Sequence, residues 1–341
     1  MKYNYCGDSG VLLPQVSLGF WHNFGRTTPY DRSRDIALYA FENGVTHFDL
    51  ANNYGPEPGD AESRLGKLLR EDLQGHRDEI FISTKAAYDM WEGPYGQWAS
   101  RKHLMASLDQ SLQRMGLDYV DLFYCHRYDP TTPLDETLQT LVDVVRQGKA
   151  LYIGLSRWPL NATRYALHYL TLRDVPVLIY QGKLNMLERE PVDEGILQEL
   201  DRYSMPKNDT IEVPFSTTPT PPTRFIPRPG FISFSPLAQG LLTDRYLNGI
   251  PEGSRMTLEH FLKSATLTDD LLAKLKKLND LAAERGETLA QMALAWILHY
   301  PTTTSVLVGA SSVEQMQKNL KCIDSAPFTE EELQRIDSIL L

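Results

Sequence analysis

The stretch that decides the fold lies between residues 120 and 156 and reads VDLFYCHRYDPTTPLDETLQTLVDVVRQGKALYIGLS. Its two ends, Val120–Cys125 and Ala150–Ser156, are short runs rich in β-branched and aromatic residues, which favour buried strands. Between them, Pro133–Gln147 has apolar residues at the spacing of an amphipathic helix. A strand, a helix and a second strand in this order predict a βα unit with parallel strands.

The same alternation continues in both directions along the chain. Six further strands are predicted at Val16–Phe20, Thr46–Asp49, Ile80–Lys85, Val177–Gln181, Phe231–Ser235 and Ser305–Val308. Four further amphipathic helices are predicted at Asp31–Asn43, Ala61–Leu69, Arg101–Met115 and Asn161–Thr171. Near the N-terminus, Tyr3–Tyr5 and Val11–Leu13 flank the turn Gly7-Asp8-Ser9-Gly10 and predict a small β-hairpin.

The predicted strands do not alternate regularly between apolar and polar residues. Both of their faces are therefore expected to be buried, as they are in a closed barrel. A doubly wound sheet is the alternative fold, but it usually carries G-x-G-x-x-G after its first strand, and this chain contains no G-x-G. The predicted fold class is α/β, a (β/α)8 TIM barrel with an N-terminal β-hairpin. The 341 residues suit one such domain spanning 1–341.

Composition and charge exclude several classes of protein. The 34 Lys and Arg against 44 Asp and Glu leave a net charge of -10, which argues against a nucleic-acid partner. No apolar run approaches the ~18 residues of a membrane span, so no membrane partner is expected. The three cysteines, Cys6, Cys125 and Cys322, are too far apart and odd in number for a disulfide framework. We therefore expect a cytoplasmic globular protein.

Residues 204–229 interrupt the pattern. They hold seven of the chain's 21 prolines and five threonines, a composition that prevents a helix or a central strand. Since connections in barrels are commonly ~2–6 residues long, we interpret this segment as a Pro/Thr-rich insertion within the domain. It precedes the seventh strand and is therefore expected at the face opposite the catalytic one, where it leaves catalysis intact. Pro227–Gly230 is nevertheless a poor start for a strand.

Four titratable side chains follow three successive predicted strands at their C-terminal ends, where barrels place their catalytic groups. Asp49 and Lys85 end the second and third strands, and Tyr54 lies in the loop after Asp49. His126 follows the fourth strand. Each residue alone is more often structural, but together they favour one catalytic site at the barrel mouth. No zinc-binding motif such as HExxH or paired CxxC is present, so no metal is predicted.

Several separated blocks of the sequence resemble the signatures of the aldo-keto reductases. They are Thr46–Asp49 with Asn52–Gly55, Ile82–Lys85 and Tyr124–Arg127. More narrowly, Phe48–Pro56 and Tyr88–Gly96 resemble the branch that contains bacterial L-glyceraldehyde 3-phosphate reductases and the β subunits of voltage-gated potassium channels. The resemblance covers nearly the whole chain except the proline-rich segment.

The resemblance implies reduction of small aldehydes to alcohols by hydride transfer from NADPH. Negative charge then builds on the carbonyl oxygen, so a proton donor and an electrostatic stabiliser are needed. Tyr54 is the expected general acid, Lys85 is expected to lower its pKa, and Asp49 to keep Lys85 charged. His126 is expected to donate a hydrogen bond to the carbonyl and to orient it.

The resemblance also implies which residues contact NADPH across the barrel mouth. The nicotinamide end is expected to meet Phe20, Trp21, Asp49, Ser156, Arg157 and Gln181. The pyrophosphate loop is expected at Phe234, Ser235, Pro236, Leu237, Gln239 and Gly240. The adenosine end is expected to meet Arg245, Arg255, Gly309, Ser311, Gln315 and Asn319. Two departures from the family pattern, Asp244 and Lys318, bear on the preference for NADPH over NADH.

Simpler interpretations stay open for some of these positions. Gly240 and Gly309 also fit plain turns, and Arg245 and Arg255 also fit surface ion pairs. Trp21 also fits a plain aromatic wall. Four aromatic residues after the third strand form either a satellite cluster or a lid over the site: Tyr88, Trp91, Tyr95 and Trp98.

The functional alternative is a redox-sensing regulatory subunit that binds NADPH with little turnover. His126 argues against it, because the channel β subunits commonly have Asn at that position. A barrel whose cofactor site is damaged by the insertion is a third possibility. The subfamily resemblance implies glyceraldehyde 3-phosphate or methylglyoxal-like substrates, and Arg127 points weakly to an anionic one. A homo-oligomer, a tetramer or larger, is possible because related branches form such assemblies.

Overall fold

Eight parallel strands close into a barrel in the computed structural model of the chain, which describes residues 1–202, 226–252, 254, 256–257 and 262–341. The barrel strands are β3 (Val16–Gly19), β4 (His47–Asp49), β5 (Phe81–Ala86), β6 (Val120–Cys125), β7 (Ala150–Ser156), β8 (Val177–Lys183), β9 (Gly230–Phe234) and β10 (Thr303–Val308). They pair in chain order, and β10 pairs with both β9 and β3, which closes the barrel. Two short strands, β1 (Tyr3–Tyr5) and β2 (Leu12–Pro14), form an antiparallel hairpin ahead of the barrel.

Five of the eleven helices among the described residues begin at a Ser or Thr whose side chain accepts a hydrogen bond from the first turn. The eleven helices are α1 (Tyr30–Glu42), α2 (Asp60–Glu71), α3 (Arg101–Met115), α4 (Leu134–Arg146), α5 (Leu160–Thr171), α6 (Glu190–Asp193), α7 (Ile196–Arg202), α8 (Asp269–Glu284), α9 (Leu289–Leu298), α10 (Val313–Leu320) and α11 (Glu330–Leu340). The Ser100 side chain accepts from the backbone N–H of His103 at the start of α3. Thr329 and Glu332 form a reciprocal capping box at the start of α11. Within the described ranges, none of these helices is both long and apolar enough to cross a membrane.

The predicted fold class is confirmed, and the closure of the strands excludes the doubly wound alternative. The strands β6 and β7 and the helix α3 have the predicted bounds, and the other predicted ends differ by one or two residues. For example, β10 begins two residues before Ser305, because Thr303 already pairs with Phe231 of β9. The hairpin register is shifted by one residue, so that Tyr3 pairs with Pro14.

Successive residues of the barrel strands face in opposite directions, which divides the apolar residues between two clusters. Leu18, Phe48 and Ile82 belong to the large cluster that also contains the buried faces of the helices. Leu122 and Tyr124 belong to the smaller cluster. Alternate positions of β3, β4 and β5 are instead polar and fully buried, and they are Ser17, His47, Asp49, Ser83 and Lys85. One side of the barrel therefore contains hydrogen-bonding groups rather than an apolar core.

The described residues on either side of the predicted insertion, at the end of α7 and just before β9, lie at the N-terminal ends of the strands, opposite the C-terminal ends that carry Asp49 and Lys85. Residues 204–225 of the insertion lie outside the described residues. Beyond them, the backbones of Asp8 and Arg228 bond at 2.9 Å, so the returning chain lies against the turn of the hairpin. Because β9 begins at Gly230 and pairs on both sides, the preceding prolines do not prevent the seventh barrel strand from forming.

Candidate active site

The predicted catalytic residues meet at the C-terminal ends of β4, β5 and β6. Asp49 and Lys85 lie on neighbouring paired strands, and their side chains form a buried ion pair. The Lys85 ammonium also donates to the Leu50 carbonyl at 2.7 Å. Tyr54 lies in the loop after β4, with Lys85 Nζ 4.9 Å from the centroid of its ring. His126 follows β6, and its ring centroid is 5.7 Å from that of Tyr54.

Burial dominates the ionisation of this group. It lowers the pKa of Lys85, while the Asp49 carboxylate acts in the opposite direction and supports the ammonium, as predicted. The pKa of Tyr54 is not lowered, as the prediction from its neighbour Lys85 had it, but raised. Burial, followed by the charges of Asp49 and Tyr88, raises the pKa of Tyr54 well above 10.0. Tyr54 therefore keeps its proton at neutral pH.

The His126 ring is neutral at neutral pH. Burial lowers its pKa well below 6.5, and the positive charges of Lys85, Arg157 and Arg127 act in the same direction. A neutral imidazole carries one N–H donor and one acceptor. His126 Nδ1 is buried and has no hydrogen-bond partner among the described residues. A hydrogen bond from Nδ1 to a ligand would therefore not replace any hydrogen bond to the described protein.

Backbone strain is concentrated at the same mouth. Seven described residues other than glycine have a positive φ, and four of them follow β7 or β9: Arg157 at 55°, Ser235 at 52°, Ala238 at 45° and Gln239 at 58°. Each such angle costs ~1–3 kcal/mol and persists only where the surroundings impose it. The strain supports a binding role for the loops after β7 and β9.

The predicted nicotinamide contacts lie around Asp49. The amide of Gln181 donates to Asp49 Oδ1 at 3.2 Å, and Ser156 pairs with Gln181 in the sheet. The Ser156 hydroxyl is buried without a hydrogen-bond partner among the described residues, which fits a ligand that would supply one. The Phe20 ring is fully buried and stacks on Phe24 at 4.0 Å, so its ring is not open to the mouth. The half-buried Trp21 stacks on His22 at 3.8 Å between ring centroids.

The predicted pyrophosphate loop directly follows β9, with Phe234 as the last residue of that strand. Ser235, Pro236, Leu237 and Gln239 make a tight turn that ends at Gly240, whose φ of 102° requires glycine. Asn185 donates to the carbonyl of Ser235 at 3.0 Å and fixes the start of the turn.

Of the two predicted arginines, only Arg245 lies within the described residues, and Arg255 lies outside them. Arg245 is exposed at the end of this loop, where its backbone N–H donates to the Thr243 hydroxyl at 3.2 Å. Its guanidinium forms no ion pair with any described carboxylate.

The predicted adenosine contacts surround the start of α10. Gly309 is exposed, lacks a positive φ and has open space where a Cβ would lie, so the fold itself does not require glycine there. Ser311 and Gln315 bond to each other at 2.9 Å, and Asn319 Nδ2 is buried without a partner among the described residues. Lys318 pairs with Glu314 at 2.7 Å. Glu314, and to a smaller extent Asp244, raise the pKa of Lys318.

The aromatic residues after β5 divide into two groups. The Tyr88 ring packs edge-on against His126 with 4.6 Å between centroids, so it belongs to the active site. Trp91 instead packs on His103 at 5.0 Å, away from the catalytic residues, as in the satellite interpretation. Tyr95 is 52% exposed.

Sequence reasoning missed several residues that organise the site. Ser83, on β5, donates to Asp49 Oδ1 at 2.6 Å. Asn23 ties the loop after β3 to that after β10 by donating to the Ala310 carbonyl at 2.8 Å. Asn185 follows the end of β8, a position that could have marked it, whereas nothing in the sequence distinguishes Ser83 from an ordinary strand residue. Within the described ranges, no group of three or more His, Cys, Asp or Glu side chains is placed to hold a metal ion.

Comparisons with known proteins agree with this geometry. The sequence profile of the Aldo/keto reductase family matches residues 15–206 and 230–341. The L-glyceraldehyde 3-phosphate reductases of Escherichia coli O157:H7 and of strain K12 are 48% and 47% identical, each over 99% of this chain and 92% of the relative. A probable voltage-gated potassium channel subunit beta of Oryza sativa subsp. japonica is 33% identical over 100% of this chain and 97% of its own length.

Proposed function

The chain belongs to the aldo/keto reductase family of oxidoreductases, and from this we propose that it reduces small aldehydes to alcohols with NADPH. The observation that carries the proposal is the buried Asp49–Lys85 pair beside the ring of Tyr54, with the neutral ring of His126 facing the same ring. A proton donor and a second hydrogen-bond donor converge there, as the reduction of a carbonyl requires.

Each residue has a distinct part in the proposed reaction. Tyr54 holds its proton until charge develops on the carbonyl oxygen, and then donates it. His126 donates an N–H to the same oxygen and orients the aldehyde. Lys85 stabilises the phenolate that Tyr54 becomes, and Asp49 keeps Lys85 protonated. NADPH, when bound, supplies the hydride that none of these side chains can provide.

We assign the binding of NADPH to the residues whose polar groups lie around the mouth. Ser156 and Gln181 would hold the nicotinamide carboxamide, and the turn that ends at Gly240 would hold the pyrophosphate. Arg245 and Asn319 would meet the adenosine end. The unpartnered buried atoms of Ser156 and Asn319 and the strained turn after β9 support this assignment.

Two cations beside His126 favour an aldehyde with an anionic group. The Arg127 guanidinium stacks on Tyr88 at 4.3 Å and on Trp98 at 3.9 Å from the ring centroids. Arg157 donates to the Tyr88 hydroxyl at 3.2 Å. Among the described residues these partners are uncharged, so both positive charges are available to a ligand. We therefore propose a phosphorylated small aldehyde such as glyceraldehyde 3-phosphate as the preferred substrate, with methylglyoxal as a poorer one.

Initial rates of NADPH oxidation test the proposal. We expect activity with glyceraldehyde 3-phosphate to exceed that with unphosphorylated glyceraldehyde. Tyr54→Phe should lower kcat by ~100-fold or more, because the general acid is lost, while the Kd for NADPH stays nearly unchanged. Tyr95→Phe, which removes a hydroxyl from an exposed tyrosine in the loop after β5, is the matched control.

Comparable turnover by Tyr54→Phe would refute the assigned acid. Tight NADPH binding with no turnover of any small aldehyde would instead favour the redox-sensing alternative.

All three cysteines are free and buried, which fits the reducing cytoplasm that we propose as the location. The homo-oligomer stays a prediction, which the mass of the native protein would decide.

A further inference from the structure

A chain of buried hydrogen bonds runs across the barrel interior and ends on the catalytic carboxylate. Ser305 Oγ on β10 lies 2.7 Å from Ser17 Oγ on β3, and Ser17 Oγ lies 2.8 Å from His47 Nδ1 on β4. His47 Nε2 lies 3.0 Å from Ser83 Oγ on β5, which lies 2.6 Å from Asp49 Oδ1. All five side chains are fully buried. Four strands are therefore joined by side-chain contacts beneath the active site.

The position of every proton in this chain follows from the charge at its end. An ionised carboxylate only accepts, so the single O–H of Ser83 must donate to Asp49. Ser83 Oγ can then only accept from His47, which places the proton of the neutral imidazole on Nε2. His47 Nδ1 therefore accepts from Ser17, and Ser17 Oγ accepts from Ser305. The four bonds point in one direction, towards Asp49.

We propose that Ser83 is a positioning residue for the reduction, and that Ser17 and His47 orient its hydroxyl towards Asp49. The proposal rests on the proposed function only for its effect on catalysis. Ser83 takes one oxygen of Asp49, which leaves the other oxygen to Lys85. The hydroxyl thereby stabilises the charged form of Asp49 and fixes the plane of its carboxylate. Asp49 keeps Lys85 protonated beside Tyr54. The chain of hydrogen bonds therefore acts on the general acid indirectly, through Asp49 and then Lys85.

The surroundings of Asp49 show what a change at this carboxylate would affect. Lys85 on β5 and Gln181 on β8 donate to it directly. Burial has the largest effect on the pKa of His47, which it lowers, and of Tyr54 and Tyr124, which it raises; the charge of Asp49 acts to raise all three. Glu62 of α2 supports the Lys85 ammonium from the other side of the sheet. Asp49 thus accepts hydrogen bonds from Ser83, Lys85 and Gln181, and a change in its charge would alter the pKa of its neighbours.

The pH dependence of kcat tests the positioning role. Loss of a hydrogen bond to a charged group destabilises the carboxylate, so Ser83→Ala should move the acidic limb of kcat upward by roughly one pH unit. We expect kcat to fall by about 10-fold, with the Kd for NADPH unchanged. Ser83→Thr keeps the hydroxyl and should restore the wild-type profile. Ser111→Ala, at a buried serine of α3, controls for the loss of any buried hydroxyl.

A lower kcat with an unmoved acidic limb, or a threonine variant that fails to restore the limb, would overturn the positioning role. If Ser83→Ala does not fold, Ser17→Ala is measured instead and should move the same limb by a smaller amount.

The tautomer of His47 is a second readout that needs no activity. Nitrogen NMR of histidine-labelled wild-type protein, with His47→Gln to assign the signal, should show the proton on Nε2. A proton on Nδ1 would mean that His47 donates to Ser17 rather than to Ser83, and would refute the proposed direction of the hydrogen bonds. A wild-type protein that reduces no aldehyde yet has the Nε2 tautomer would instead overturn the proposed function and leave the hydrogen-bond chain in place.

Discussion

The buried side chain of His47 predicts an acid-sensitive contribution to the stability of the barrel. Burial lowers the pKa of His47 from 6.5 to about 4, although the charge of Asp49 acts in the opposite direction. The unfolded chain binds a proton at the ordinary pKa, whereas the folded protein resists it. The stability due to the neutral ring is therefore complete above the unfolded pKa of 6.5 and is lost as the pH falls through the folded value of about 4.

We expect His47→Gln to flatten the dependence of stability on pH. Glutamine does not titrate, so the wild type should lose ~2 kcal/mol more of its free energy of unfolding than the variant on going from about pH 7 to about pH 5. Urea unfolding at the two pH values measures the difference. His103 and His126 are present in both proteins and cancel in the comparison. Equal losses in the two proteins would show that a different group causes the acid sensitivity.

Among the elements, β6 and β7 illustrate how a large residue and a small one share the barrel interior. Gly154 of β7 pairs with Tyr124 of β6, and a Cβ on Gly154 would lie 2.4 Å from two carbons of the Tyr124 ring. The ring in turn lies with its centroid 5.4 Å from Lys85 Nζ. Glycine at this position is therefore required by the ring beside it, and the ring helps to enclose the catalytic ammonium.

Gly154→Ala should be costly although it adds only one methyl group. The Tyr124 ring must move, and overpacking of this kind destabilises by about 1–3 kcal/mol. We also expect a lower kcat, because the displaced ring borders Lys85. Chemical unfolding and initial rates provide the two measurements. Gly10→Ala is the control, since Gly10 has no positive φ and nothing lies within 4 Å of an added Cβ. Similar effects of the two substitutions would contradict the steric explanation.

For the molecule as a whole, the order of the strands and helices could be predicted from the sequence, but the hydrogen bonds between side chains inside the barrel could not. The apolar runs predicted all eight barrel strands, because a strand buried on both faces leaves a local signal. Asp49 and Lys85 were identifiable because they end strands. Ser17, His47 and Ser83 lie in the same strands, yet no local pattern marks their contacts, and that of Ser17 with Ser305 depends on the closure of β10 onto β3, which joins residues almost 300 positions apart. The pKa direction at Tyr54 was missed for a similar reason, since burial is a property of the closed barrel.

The proline-rich segment offers a test at the same scale. The described residues that border positions 203–225 lie close together, because the Arg228 guanidinium is 3.4 Å from Asp201 Oδ1 near the end of α7. These bordering residues also lie at the face opposite the catalytic residues. A variant in which residues 207–225 are replaced by a short Gly-Ser linker should therefore fold, since a shorter loop lowers the entropic cost of closure by only about 1 kcal/mol.

We expect this deletion variant to keep kcat/KM for an aldehyde and the Kd for NADPH within about twofold of the wild type, because no group of the site is touched. Rates and cofactor titration on the purified variant measure both quantities. Thermal unfolding with and without NADPH verifies that the barrel is intact. A folded variant that has lost NADPH binding would connect the segment to the loop after β9, through the strand that both adjoin. A retained Kd with a large fall in kcat/KM would place part of the substrate site on the segment itself, and would contradict the expectation that it lies at the opposite face.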